Sequence, residues 1–195
     1  KKQKGGLTLN LNGNYLAVGV PTFTETSETS PTTLGMVKIF ETTDNGDSWS
    51  EKITINPTGE TSGSSGQEQK QFGAQVILEG NTLMVTAFME NESPQNGSDN
   101  SHGAVYFYST SDNWSTVTLD NKFFGEWKDG SYGTQLGKSA GLSENYAIAR
   151  DGSRKLYFYK KDANGNWSLK QSFDHPGDGG GGGNQTCSIS INGNY

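Results

Sequence analysis

The chain has 195 residues, of which 30% are hydrophobic and 11% aromatic, and it carries 27 glycines and a net charge of −6. An acidic protein repels phosphate backbones, so we predict no nucleic-acid partner; the two arginines, Arg150 and Arg154, form no basic stripe. No apolar stretch approaches the roughly 20 residues of a membrane helix, so we expect no membrane insertion within this sequence.

The first predicted elements form a β-hairpin. From Leu7 to Leu11 apolar residues stand at every second position, which is typical of a strand with one buried and one exposed face. Asn12-Gly13 supplies the residues with positive φ that a tight hairpin needs. Tyr15–Val20 is almost continuously apolar, which indicates a strand covered on both faces.

Two further strands complete the first unit. Gly35–Phe40 reads GMVKIF and is followed by a polar turn that ends in Trp49 and a serine. Glu51–Ile55 then supplies a fourth strand. The first unit is therefore predicted to contain four strands, with a tryptophan between the third and the fourth.

The same order of elements recurs twice, which predicts an all-β fold made of repeats. Four-stranded units that cover each other's apolar faces are typical of a β-propeller. We predict a partial propeller with antiparallel blades at 5–71, 72–135 and 136–186, and the first strand of another blade at 187–195. A β-sandwich is the alternative, although a sandwich does not require a tryptophan in every unit. The first hairpin recurs at Phe72–Ala87 and Leu136–Arg150, and its beginning at Cys187–Tyr195. The third strand recurs at Gly103–Tyr108 and Arg154–Tyr159, the tryptophan at Trp114 and Trp167, and the fourth strand at Thr116–Leu119 and Leu169–Phe173.

These units resemble the FG-GAP repeat, which also builds the heads of integrin α-subunits. Phe72-Gly73 stands at the "FG" position, with Gly5-Gly6 and Leu136-Gly137 at the same place in the other units, and Gly19–Pro21 stands at the "GAP" position. The resemblance covers essentially the whole chain. It implies a β-propeller, commonly of seven blades, that serves adhesion or recognition.

The second and third units depart from the family pattern. They carry Thr86–Phe88 and Arg150–Gly152 in place of the "GAP" element. Three blades would leave unpaired edges that proteins normally avoid. We therefore expect further blades in a parent chain, with stacking against a neighbouring copy as the alternative.

A second, weaker resemblance lies in the turn after the third strand. Thr42–Trp49 reads TTDNGDSW and resembles the Asp-box of sialidase-type propellers, and Asp112–Trp114 and Asp162–Trp167 are degenerate versions. In that family the motif is a structural turn. A sialidase would also need three arginines to hold a carboxylate. We predict that the chain is not an enzyme.

Metal and cofactor sites are weakly indicated. Asp44 and Asp47 form the nearest candidate for a calcium site, but their spacing departs from the Asp-x-Asp-x-Asp-Gly pattern and a hairpin turn also explains them. No other cofactor is expected. His102 and His175 are interpreted as surface residues, and the single cysteine, Cys187, as a small buried apolar residue.

The candidate ligand-binding residues lie between the second and third blades. Phe123–Tyr132 reads FFGEWKDGSY, which is rich in aromatic residues for a connection. Trp127 and Tyr132 could stack on a sugar or anchor a protein partner, and packing at the blade interface is the alternative. Sequons at Asn91, Asn96 and Asn184 lie in expected loops and are candidate glycosylation sites.

Together these features predict a non-catalytic recognition or adhesion module. We expect it to be a glycoprotein located outside the cell or at the cell surface, which binds protein or glycan through its loops. The alternatives are a structural subunit of an extracellular fibre or coat, which contacts neighbouring copies, and a propeller glycoside hydrolase with catalytic residues elsewhere.

Overall fold

The structure is a computed structural model that describes residues 8–21, 24–25, 32–57, 69–90, 101–128, 132–174 and 189–191. Every regular element within these ranges is a β-strand. Accordingly, the described part of the chain contains no helix with the length and apolar character needed to cross a membrane. The prediction of an all-β fold is confirmed.

Three four-stranded antiparallel sheets make up the described fold. In each of them the four strands follow one another in chain order, as in a meander. The first sheet contains β1 (Thr8–Asn12), β2 (Tyr15–Val20), β4 (Thr32–Glu41) and β5 (Ser50–Ile55). The second contains β7 (Gln75–Glu79), β8 (Thr82–Ala87), β9 (Ala104–Ser109) and β10 (Thr118–Phe124). The third contains β13 (Ser139–Leu142), β14 (Tyr146–Arg150), β15 (Lys155–Lys161) and β16 (Trp167–Asp174).

Four short strands were not expected from the sequence. β3 (Thr24–Glu25) and β6 (Gln69–Phe72) both pair with β4, the latter in parallel, so residues just before the second sheet belong to the first. β11 (Trp127–Lys128) and β12 (Tyr132–Gly133) pair with each other in the connection between the second and third sheets.

The alternation along each strand distributes side chains between two hydrophobic cores. Leu83, Val85 and Tyr106 of the second sheet pack in the core shared with the first sheet. Met84 and Phe107, which occupy the alternate positions, pack in the core shared with the third sheet. The second sheet is thus buried on both faces. Tyr15–Val20, for which the apolar run predicted cover on both faces, lies in the first sheet instead, where Ala17 is buried in the first core but Leu16 and Val18 are only half-buried.

The first strands of the three sheets lie side by side and run in the same direction. The backbone N–H of Leu78 donates to Oδ1 of Asn10 at 2.8 Å, which joins β7 to β1. The N–H of Ala140 donates to Oε1 of Gln75 at 3.1 Å, which joins β13 to β7. Thr8 donates to the carbonyl of Gly73 at 2.8 Å and Asn12 to Glu79 at 3.3 Å, so β1 and β7 run in the same direction. Nζ of Lys161 donates to Thr82 at 2.9 Å near the turns of the third and second sheets, so equivalent ends of these sheets also face the same way.

Residues 189–191 continue this succession beyond the third sheet. A Cβ added to Gly141 of β13 would lie 2.9 Å from Cγ2 of Ile189 and 3.2 Å from Cγ1 of Ile191. The segment therefore contacts the far side of β13. This is where the next first strand would stand if the succession continued.

The predicted hairpin turn is displaced by one residue. Asn12 pairs with Tyr15, so the turn consists of Gly13-Asn14, and φ is positive at Gly13. The corresponding hairpin of the second sheet turns at Gly80, where φ is also positive. The left-handed conformation thus falls on glycine, which adopts it without a steric penalty, while the asparagine before Gly13 remains in the strand.

Each third strand is joined to the fourth by a turn organised around one aspartate. Asp44 accepts hydrogen bonds from the backbone N–H of Ser48 at 2.9 Å and from its hydroxyl at 2.5 Å. The side chain therefore replaces several backbone bonds and fixes the turn. Equivalent bonds join Asp112 to Thr116 in the second sheet and Asp162 to Asn166 in the third.

Trp114 does not occupy the position expected from the tryptophan repeat. Its backbone N–H donates to Thr110, as the N–H of Gly46 does to Thr42, and φ is positive at both donors. Trp114 therefore replaces the turn glycine, and its side chain reaches the first core with only 1% of its surface exposed.

Trp49 and Trp167 are equivalent to each other. Each directly precedes a serine, Ser50 or Ser168, that pairs with the corresponding residue of the third strand. Trp167 is buried in the second core, whereas Trp49 is 37% exposed. The difference follows from position, because Trp167 faces the second sheet and the described fold places no sheet on the corresponding side of the first.

Candidate recognition surface

The meander order divides the connections between two ends of the sheets. The turns between first and second strands, and between third and fourth strands, lie at one end, which we call the hairpin face. The connections between second and third strands, and from each fourth strand to the next first strand, lie at the other, which we call the loop face. The longest connections, 56–74, 88–103 and 125–138, all belong to the loop face.

A buried charged cluster supports the loop face between the first and second sheets. The carboxylate of Glu90 is fully buried and accepts a hydrogen bond from the hydroxyl of Tyr106. The Nζ of Lys122 lies 2.7 Å, and that of Lys70 3.7 Å, from Oε1 of Glu90. Burial of a carboxylate is costly unless cations and donors surround it, and this cluster provides both.

The Glu90 cluster also anchors both ends of one connection. The N–H of Gly103 donates to the carbonyl of Glu90 at 2.9 Å, which closes the segment between them. The two candidate glycosylation sites Asn91 and Asn96 fall in this segment and lie outside the described residues, so their glycosylation stays a prediction.

A related cluster supports the loop face in the third sheet. Asp151 is fully buried and accepts hydrogen bonds from the N–H of Lys155 at 2.8 Å and from the hydroxyls of Ser153 and Tyr157, both at 3.3 Å. Burial raises the pKa of Asp151, although the hydrogen bonds from Lys155 and Ser153 oppose that shift. Tyr157 corresponds to Tyr106 in the strand alignment, so the same tyrosine position bonds an acid in both sheets.

The connection 125–136 binds to both neighbouring sheets. The N–H of Gln135 donates to the carbonyl of Ser101 at 3.1 Å, and the N–H of Gly152 donates to the carbonyl of Thr134 at 2.7 Å. The close approach of the backbone at Gly133 to Ser101 requires glycine, because a Cβ at this position would lie 2.3 Å from the carbonyl oxygen of Ser101. The loop face across the second and third sheets is therefore held together by backbone contacts.

Both candidate ligand-binding residues belong to the short hairpin in this connection. Trp127 pairs with Gly133, and Tyr132 pairs with Lys128. Their side chains lie outside what the structure describes. The base of the hairpin is closed by the backbone N–H of Thr134, which donates to the carbonyl of Glu126 at 3.1 Å, and Nζ of Lys155 lies 2.5 Å from Oε1 of Glu126. The structure thus places the backbone of both aromatic residues at the loop face.

A basic pair lies near the first strand of the third sheet. The Nζ of Lys138 stands 3.9 Å from the centre of the Phe88 ring. Burial, and secondarily the charge of Arg150, lowers the pKa of Lys138.

The candidate calcium residues lie at the opposite end. Both oxygens of Asp44 accept hydrogen bonds inside the turn, chiefly from Ser48, and these bonds lower the pKa of Asp44 to about 2. Asp47 belongs to the same turn, where its N–H donates to the carbonyl of Asp44. Among the described residues no group of three or more His, Cys, Asp and Glu side chains is placed to hold a metal ion. Calcium at Asp44 and Asp47 stays a prediction.

Sequence reasoning missed the two buried acids at the loop face. Tyr106 and Tyr157 could have indicated them, because they stand at equivalent positions of two third strands and a buried phenol needs a hydrogen-bond partner. Asn184, His175 and Cys187, which the sequence analysis singled out, lie outside the described residues.

Comparison with known proteins adds no relative. No protein-family model matches the chain, and no curated protein matches it closely enough to count as related. The FG-GAP and Asp-box resemblances stay predictions based on the motifs.

Proposed function

We propose that the chain forms consecutive blades of a β-propeller of the FG-GAP type and acts as a recognition module. It binds protein or glycan through the loop face, has no catalytic role, and works outside the cell or at the cell surface. The parallel succession of first strands and the two shared cores support the propeller part of the proposal.

The observation that carries the recognition role is the contrast between the two ends of the sheets. The hairpin face consists of short turns whose polar groups bond to each other. The loop face collects the long connections and holds them with buried charges and backbone bonds. A rigid framework that presents variable connections at one end is a common arrangement for binding. Trp127 and Tyr132 stand on the part of the loop face that binds to two sheets.

The test uses the whole chain on arrays of immobilised glycans and extracellular matrix proteins. We expect at least one ligand whose binding weakens about tenfold or more in Trp127→Ala or Tyr132→Ala, as for an aromatic contact residue. Tyr146→Ala is the matched control, because Tyr146 is an exposed aromatic residue close to the hairpin face. The proposal fails if no array ligand binds, or if the loop-face variants and the control bind equally well.

A structural role in a fibre or coat is the second candidate function. It is favoured by the apolar outer face of the first sheet, where Leu9 and Leu11 are 62% and 60% exposed. A coat or fibre subunit forms ordered assemblies without added ligand, which electron microscopy of the purified chain detects, whereas recognition is shown by array binding that depends on Trp127 or Tyr132.

A further inference from the structure

The interface between the second and third sheets shows how one sheet receives the next. Trp167 of the third sheet stacks on Phe107 of the second, with ring centroids 4.2 Å apart and planes inclined by 14°. Tyr159 contacts both Phe107 and Phe123, at 5.6 and 4.9 Å between centroids. The backbone N–H of Trp167 donates to Oδ1 of Asn121 at 2.8 Å, so the contact has a hydrogen bond beside the aromatic rings.

The outer face of the third sheet repeats the receiving side of that interface. Phe158 pairs with Gln171 in the same register in which Phe107 pairs with Asn121. Phe173 corresponds in the same way to Phe123, and it stacks on Phe158 at 4.9 Å. The outer face of the third sheet thus has the two aromatic rings and the side-chain amide of a receiving site.

Among the described residues, this receiving site is filled only in part. A groove of about 470 Å³ runs along the outer face, and its lining includes Phe158, Gln171, Tyr146, Lys160 and Ile191. Phe173 at its margin is 39% exposed. A groove of this size beside aromatic rings has room for an indole.

The outer face of the first sheet repeats the inserting side. Trp49 corresponds to Trp167 by strand register, and Phe40 corresponds to Tyr159. Trp49 is 37% exposed, and in β1 of the same sheet Leu9 and Leu11 are the most exposed large hydrophobic side chains among the described residues. Their counterparts in the second sheet, Val76 and Leu78, are buried against the first.

We infer that two copies of this chain associate head to tail, with Trp49 of one copy seated against Phe158 of the other. The argument for a second copy is continuity with the interface inside the chain, because both halves of that interface recur on its two outer faces. The backbone N–H of Trp49 then donates to the side-chain oxygen of Gln171, as the backbone N–H of Trp167 does to that of Asn121. Because the two patches differ, repetition of this contact adds further copies until the rotation from copy to copy closes a ring, or adds them without end if it does not close.

The segment 189–191 competes for part of the same site. Ile189 and Ile191 align with Leu9 and Leu11 and already contact the third sheet at Gly141. The first strand of an incoming copy must displace them. Disruption of the segment therefore strengthens association, whereas loss of a contact residue would weaken it.

The experiment measures the mass distribution of the chain by sedimentation velocity over a concentration series. We expect concentration-dependent association of the unmodified chain and a loss of about tenfold or more in affinity for Trp49→Ala and for Phe158→Ala. Leu119→Ala is the matched control, because Leu119 is as exposed as Trp49 but lies in β10 outside both outer faces. It should associate as the unmodified chain does.

A mixture of the two variants gives the decisive result. Trp49→Ala retains the Phe158 groove, and Phe158→Ala retains Trp49. At a concentration at which each variant alone is monomeric, the mixture should therefore form dimers that stop at two copies. The double variant Ile189→Asp/Ile191→Asp should associate more strongly than the unmodified chain. The inference is overturned if the mixture stays monomeric, if each single variant associates like the unmodified chain, or if the isoleucine variant and the unmodified chain are both monomeric.

Discussion

The indole of Trp167 lies parallel to the ring of Phe107, which belongs to the neighbouring sheet, with 4.2 Å between the ring centroids. Stacked aromatic pairs contribute about 0.5–1.5 kcal/mol beyond the burial of their surface. The pair joins the fourth strand of the third sheet to the third strand of the second. It is therefore a contact between units, and its loss should lower the stability of the whole fold.

Trp167→Ala should lower the free energy of unfolding by about 3–5 kcal/mol, as for other buried tryptophans. Trp49→Ala should lower it far less, because Trp49 keeps 37% of its surface exposed whereas Trp167 keeps 3%. Urea denaturation at dilute protein concentration, where copies do not associate, measures both. Equal losses in the two variants would show that the two tryptophans are in similar environments.

Trp114 offers a test of backbone strain. Its φ of 64° is unfavourable for any residue with a Cβ, by about 1–2 kcal/mol. Both Trp114→Ala and Trp114→Gly remove the buried indole, but only glycine also relieves the strained conformation. We expect the glycine variant to be more stable than the alanine variant by about 1 kcal/mol, the reverse of the usual order. Thermal unfolding of the pair measures the difference, and a less stable glycine variant would contradict it.

Glu90→Gln should destabilise the chain by about 3–5 kcal/mol, because it leaves Lys70 and Lys122 without a carboxylate in a buried place. Glu51→Gln is the control. Glu51 also pairs with a lysine, Lys38 at 2.6 Å, but this pair is exposed, and exposed pairs contribute little. Urea denaturation should separate the two variants clearly. A stable Glu90→Gln variant would mean that the cluster is not essential to the fold.

Asp44 should make stability depend on pH in the acid range. Its pKa is lowered from 3.8 to about 2 in the folded chain, so the unfolded chain binds more protons between these values. The stabilisation is complete above pH 3.8 and is lost as the pH falls towards 2. Ser48→Ala removes the hydroxyl that donates to Asp44 and should raise the pKa of Asp44, as measured by NMR titration of its carboxyl carbon. An unchanged midpoint in the variant would show that Ser48 does not hold the carboxylate.

Gly133→Ala should disturb the loop face. The new methyl group would meet the carbonyl of Ser101, and such overpacking typically costs about 1–3 kcal/mol. Hydrogen exchange should accelerate at the N–H of Gln135, which donates to the same carbonyl. Gly13→Ala is a useful comparison, because it adds a methyl group to open space at positive φ and should leave exchange at Gln135 unchanged.

The strands were largely predictable because side-chain alternation reports directly on burial. Tyr15–Val20 has the bounds that its apolar run predicted, and the third strands also fall where expected. The turns were less predictable. The turn at Gly13 and the turn at Trp114 are each displaced from the expected place, because a turn depends on which residue takes a positive φ rather than on hydrophobic pattern.

The candidate surface was predictable only in part. The aromatic run Phe123–Tyr132 singled out Trp127 and Tyr132, and the structure places their backbone at the loop face. The run is not all connection, because Phe123 and Phe124 belong to β10 and pack against the two cores. Glu90 carries no local signal, because its partners Tyr106 and Lys122 are 16 and 32 residues away in sequence. Asp151 is bonded by Ser153, Lys155 and Tyr157, but an Asp-Gly-Ser sequence is equally typical of an exposed turn. A polar residue that is buried by another segment cannot be recognised from its own neighbours in the sequence.

The backbone bonds of the connection 125–136 also determine how the chain would respond to mechanical load. A pull on the hairpin that carries Trp127 and Tyr132 is passed to Ser101 on one side and to Gly152 on the other. Two sheets then share the tension, because the connection is bonded on both sides. A load applied at this place is therefore distributed over more backbone bonds than in a loop that is bonded to a single sheet.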